Sequence, residues 1–141
     1  MFDQEKTIQS ARSTILAVVI FTLINIFAIA FTEYYFLYSA YVPQVLIAFA
    51  LYESPGLLMP MVIASLVYML PYLLCYIFSK KRKGWMKFAL ILFLIDSILF
   101  GLDFVAMLAA GEFGFIIDLV IHVIVLISLF SGLKAYPKKE R

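Results

Sequence analysis

The sequence predicts an all-α integral membrane protein: a bundle of four transmembrane helices in two hairpins, both termini cytoplasmic, with a short apolar interfacial or re-entrant segment after the first helix. Two observations carry this. Of 141 residues, 65% are apolar and only 14% charged, more hydrocarbon than one soluble domain of this size can bury. All eleven Lys and Arg residues fall into three clusters: Lys6 and Arg12; Lys80, Lys81, Arg82, Lys83 and Lys87; and Lys134, Lys138, Lys139 and Arg141. Cytoplasmic loops are enriched in Lys and Arg, so all three clusters are assigned to one side. An even number of crossings must then separate each cluster from the next.

A bilayer core of about 30 Å needs roughly 20 apolar residues in a helix. The first crossing is read at 14–31. Its basic start, apolar run and Ala28-Ile29-Ala30 also fit a cleavable signal, but the run is long for that purpose, and the segment is expected to be retained. Residues 34–78 are apolar almost throughout and long enough for two crossings. Parity allows only one, because a second would place Lys80 to Lys87 on the outer side. That crossing is read at 57–78, introduced by Ser54 and Pro55, which have the chemistry of an N-cap and a first helical position.

Residues 34–52 then stay on the outer side. Pro43 and Glu53-Ser54-Pro55-Gly56 leave Val45 to Tyr52 as an apolar piece of about two turns, too short to span. Tyr34, Tyr35, Phe36, Tyr38 and Tyr41 suit an aromatic belt at headgroup level. Pro60 and Pro71 fall within the second crossing, and Pro71, far from the first turn, should bend it. A cytoplasmic basic loop at 79–87 leads to a third crossing at 86–108. The turn Ala110-Gly111-Glu112-Phe113-Gly114 returns the chain into a fourth at 115–133, forcing antiparallel contact. The chain reads as one transmembrane domain, 1–141, in a cell membrane.

Four ionisable groups lie within these spans: Asp96 and Asp103 in the third, Asp118 and His122 in the fourth. An Asp at a helix centre costs about 2.5 to 3.5 kcal/mol on insertion scales, so such groups face protein or water. Asp96 and Asp103 lie nearly two turns apart on almost one face, and Asp118 and His122 share another. Counting about 1.5 Å per residue from the outer turn places Asp103, His122 and Asn25 at similar depth, with Asp118 one turn shallower and Asp96 deeper. Asp103 is expected to face His122, with Asn25 close by. Such a cluster serves either as interhelical glue or as a proton or cation site.

The chain has no H-E-x-x-H, G-x-S-x-G or Gly-rich phosphate loop and a single His, so no enzymatic chemistry is indicated. No serine falls at the depth counted for His122. Asp-x-x-x-His without a second His is a weak metal signal, so neither a metal nor a cofactor is expected. Cys75, alone, forms no intrachain disulfide. The net charge of +2 arises from the basic clusters and points to anionic headgroups, not nucleic acid. No motif is diagnostic of a named family. The expected function is that of a non-enzymatic accessory or regulatory subunit or homo-oligomeric membrane component, its partners the bilayer and a larger complex or further copies of itself. The rival is a small proton- or cation-coupled transporter or channel using Asp103, Asp118, His122, Asn25 and Asp96.

The parity of the basic clusters makes topology measurable. An impermeant thiol reagent added outside should label a cysteine placed at Glu53 or Glu112 and spare one at Arg82 or Lys138. Labelling at Arg82 from outside would overturn the four-crossing topology.

Overall fold

The computed structural model describes residues 2–32 and 39–137. It is all-helical: α1 (Phe2–Thr32), α2 (Tyr41–Tyr52), a 3-10 turn (Pro55–Leu57), α3 (Leu58–Phe78), α4 (Lys83–Ala109) and α5 (Ile116–Ala135). Four of these, α1, α3 (with the 3-10 turn), α4 and α5, are long and apolar enough to cross a membrane. Helix α2 is not. Its 12 residues extend about 18 Å at the helical rise of about 1.5 Å.

Helix α1 packs on α3 and α5, α4 packs on the same two, and α2 wedges against α1, α3 and α4. The outward faces are almost wholly apolar, with Phe31, Val67, Leu102 and Ile127 among the most exposed side chains, as lipid rather than water would favour. Inside, Ile15, Val18, Tyr72, Phe93 and Leu129 form the main core, and Ile26, Ile29 and Ile47 a smaller one beneath α2.

Each boundary has a local cause. Helix α1 begins three turns before the expected Thr14, its N-terminal end carrying Asp3 and Glu5, which favour the positive end of the helix dipole. Pro43 is expected to break the chain, yet α2 begins at Tyr41 and contains it. Pro43 occupies the first turn, where its missing N–H has no partner to lose. Pro55 occupies the first position of the 3-10 turn behind Ser54, whose side chain makes no capping bond, and Leu57 N–H donates to Ser54 O at 2.8 Å. Helix α3 runs unbroken through Pro71. Of the expected aromatic belt, Tyr34, Tyr35, Phe36 and Tyr38 lie outside the described residues; Tyr41 is the first residue of α2.

Helix α4 ends in a Schellman motif. Gly111 adopts φ 82°, Glu112 N–H reaches Met107 O at 3.0 Å and Gly111 N–H reaches Leu108 O at 3.0 Å. Only glycine takes that φ without strain. Beyond it the chain runs back along the bundle before α5 begins. Met86 lies against Gly132 and Ser97 against His122, so pairing advances eleven residues on α4 against ten on α5. Extended upward, this register sets the start of α5 level with about Asp103. The last turns of α4 therefore overshoot α5 by about 9 Å.

Contacts gather the basic segments. Arg12 donates from Nε and Nη2 to Tyr76 O at 3.3 and 3.1 Å, and Nη1 to Gln9 Oε1 at 2.8 Å. The Tyr136 hydroxyl donates to Ser79 O. Two carbonyls left open at the end of α3 are thus capped from α1 and from the residue following α5.

Helices α1 and α5 approach closely along small residues. Thr14 Oγ1 and Ser128 Oγ share a hydrogen bond of 2.8 Å, and a Cβ added at Gly132 would collide with that of Ala11. Gly132→Val should therefore overpack the seam and lower stability in detergent by about 1–3 kcal/mol. Gly101→Val, where an added Cβ meets open space, should cost less. Equal melting temperatures for the two variants would contradict this packing.

Candidate functional site: the acid-held start of helix α2

A helix leaves its first four N–H groups without intrahelical partners, and away from water each must find another acceptor. At α2 all four positions are accounted for. Ala40 N–H donates to Thr22 Oγ1 of α1 at 2.9 Å. Tyr41 N–H donates to Asp96 Oδ2 at 2.7 Å and Val42 N–H to Asp96 Oδ1 at 3.0 Å. The fourth position is Pro43, which has no N–H. Thr22 can accept because its own hydroxyl donates to Val18 O at 2.6 Å.

Asp96 is fully buried and takes a third bond from the Tyr68 hydroxyl of α3 at 3.1 Å. One carboxylate of α4 thus ties α2 and α3 together, and the positive end of the α2 dipole faces it. Asp103, two turns further along α4, accepts a 2.5 Å bond from the Tyr41 hydroxyl. The seven-residue spacing of the two acids therefore brackets one residue: Asp96 holds the Tyr41 backbone and Asp103 its side chain. Beside this clamp, Ser39 Oγ accepts from Asn25 Nδ2 at 2.7 Å and from Gln44 Nε2.

His122 lies elsewhere. Its ring is stacked between Phe93 and Phe100 of α4, with centroids at 5.0 and 4.7 Å, and its Nδ1 is 3.0 Å from Ser97 Oγ. Ser97 donates its hydroxyl to Phe93 O at 2.7 Å, so Ser97 accepts and His122 Nδ1 carries the proton. That polarity is opposite to the one a His base needs toward a Ser nucleophile. Nε2 remains as an acceptor.

The expected pairing of Asp103 with His122 is not formed. Equal counting from the turn ignored the overshoot of α4, which puts Ser97 at the level of His122 and leaves Asp103 exposed beside α2. The expectation that no serine reaches His122 fails for the same reason. The structure does bring Asn25, Asp118 and His122 toward one place. A cavity of about 40 Å³ is lined by Ser39, Tyr41, Gln44, Phe100, Asp118 and His122, and Asn25 reaches it through Ser39. It has room for about one water. Asp118 enters it from the first turn of α5.

Sequence reasoning missed Thr22, Ser39, Tyr41, Tyr68 and Ser97. One signal was available: once Pro43 is taken as a first-turn proline, the open N–H groups before it require acceptors. Among the described residues no three His, Cys, Asp or Glu groups converge as metal ligands. Comparison with protein-family models, with curated proteins and with solved structures finds no match.

Asp96→Ala strands two backbone N–H groups and a phenol and should destabilise the protein by about 3 kcal/mol or more, since each buried unsatisfied group costs about 1–3 kcal/mol. Asp96→Asn keeps one acceptor oxygen and should lose less. Asp103→Asn and Tyr41→Phe, at an exposed bond, should each cost below about 1 kcal/mol and together little more than one alone. Denaturant titration in detergent reads the series, and equal losses for Asp96→Ala and Asp103→Asn would contradict the clamp.

Proposed function

We propose that the chain is a four-span bundle of two antiparallel hairpins in a cell membrane, both termini cytoplasmic, with α2 re-entering from the outer side. It serves there as a non-enzymatic component, an accessory or regulatory subunit of a membrane complex or a homo-oligomer. One observation carries the reading: Asp96, the most deeply buried acid among the described residues, commits three hydrogen bonds to holding α2 and α3 in place. Asp103 and His122 are likewise bonded to neighbouring helices. Polar groups so committed act as interhelical fasteners. The four long helices turn broad apolar faces outward, surfaces suited to lipid and to other membrane helices.

A second reading, proton- or cation-coupled transport through Asp103, Asp118, His122, Asn25 and Asp96, draws support from the small cavity that joins His122 to Asp118 and Ser39. Imidazole and carboxylate on a shared cavity can hold or pass a proton. Purified protein in liposomes containing a pH-sensitive dye separates the two readings. As a fastener, it should give no proton or cation flux above that of empty vesicles, and His122→Ala should lower thermal stability. A flux that His122→Ala abolishes while the protein stays folded would replace the first reading with the second. Mild extraction from native membranes should also recover the chain with a second copy or a partner at fixed stoichiometry.

A further inference from the structure

At the basic end, a cavity of about 550 Å³ opens between the start of α1, the turn after α3 and the residues following α5. Arg12, Lys80 and Lys81 line it together with Gln4, Gln9 and one carboxylate, Glu5. Three cations against one acid leave a net positive concavity with amide donors beside it. Arg12 is held in place: it is 8% exposed, fixed by Tyr76 O and Gln9 and stacked 4.9 Å from the Tyr76 ring centroid. Among the described residues three of its five N–H donors are used, leaving two. Lys80 and Lys81 are exposed and form no ion pair among the described residues. They remain available to an anion.

The position of the cavity says which anion. Ile77 and Phe78, the last residues of α3, are exposed apolar side chains, and Lys80 follows two residues later. Ile8 and Ala135 give the cavity an apolar wall. A ligand here meets cations at one end and a greasy helix surface at the other, the layout of a phospholipid at the headgroup boundary. Basic pockets between membrane helices bind phosphate headgroups in this way, and a guanidinium with free donors suits phosphate oxygens.

We infer that this cavity is a binding site for the phosphate headgroup of an anionic phospholipid, with Arg12, Lys80 and Lys81 as its ligating cations. The inference rests on the bundle lying in a bilayer with this end at the headgroups, but not on which face of the membrane that is. Because nanodiscs offer both leaflets, a wrong topology would leave the binding result unchanged.

The test uses the full chain in nanodiscs and in mild detergent, with phosphatidylglycerol, phosphatidylcholine and inorganic phosphate as probes. Native mass spectrometry should show phosphatidylglycerol retained in preference to phosphatidylcholine, and added phosphatidylglycerol should raise the melting temperature. A lysine beside the bound headgroup contributes about fivefold to its affinity, and the contribution falls off with distance, so Lys80→Gln with Lys81→Gln should weaken retention about 25-fold. Lys80→Arg with Lys81→Arg should preserve it. Lys83→Gln with Lys87→Gln removes the same charge from the same region outside the cavity and should cost less than about threefold. Equal losses for the two Gln pairs would reduce the effect to diffuse surface attraction and overturn the site. Millimolar inorganic phosphate matching the lipid in thermal shift would overturn the lipid as its occupant.

Discussion

The bond pair from Asp96 to the first two N–H groups of α2 is the constraint on which the interior depends. Helix α2, at 12 residues, is too short to cross a bilayer, and its start is packed inside the bundle, where Ala40 and Asp96 are fully buried. Backbone groups there must be satisfied by protein. Asp96 supplies two acceptors at the point where α2 begins, Thr22 supplies another, and Pro43 removes the need for a fourth. With that end secured, α2 can lie against α1, α3 and α4 and bury Ile47 on Ile26 and Ile29. Take away the carboxylate and three donors lose their partner at once, one of them on α3.

The same rule operates at the other end with opposite sign. There the open groups are carbonyls at the end of α3, and the partners are donors: the Arg12 guanidinium and the Tyr136 hydroxyl. An acid is buried where N–H groups are open and a guanidinium where carbonyls are open, so helix ends account for the placement of two internal charged groups without any direct pairing between them. Helix α4 closes its own end through Gly111 and needs no visitor. Its Schellman turn frees the following residues to run back along the bundle, which sets the register of α5.

How much of this was legible in the sequence follows from which physical signals act locally. Helix number came from apolar run length, and the non-spanning character of the segment around Val45 to Tyr52 came from the basic clusters and the chain breaks at either side. Boundaries moved where a local rule was applied too broadly, as at Pro43, which breaks a helix interior but not a first turn. The site was legible as a list of residues and not as an arrangement. Asp96, Asp103, His122 and Asn25 were singled out because polar groups in apolar runs are conspicuous, but their partners were ordinary: the hydroxyls of Tyr68, Tyr41, Ser97 and Ser39 and two backbone amides. Nothing in composition marks Tyr41 or Tyr68 as an acid's partner. Register was the other loss, since a symmetrical count from a turn assumes that both helices start level, and here they are displaced by about 9 Å.

That displacement changes what the acids mean. Level helices would place Asp103 against His122, a carboxylate and an imidazole in the membrane interior, the arrangement that most invites a proton relay. Displaced helices give each its own partner: Asp103 a tyrosine hydroxyl, His122 a serine between two phenylalanine rings. The periodicity of Asp96 and Asp103 then has a sufficient cause in the need to grip one residue of α2 at two points. What remains outside that cause is Nε2 of His122 and the cavity it shares with Asp118. That cavity, about 40 Å³, sets His122 and Asp118 of α5 beside Ser39 and Gln44 at the start of α2, a space of the order of a water rather than a path through the bundle.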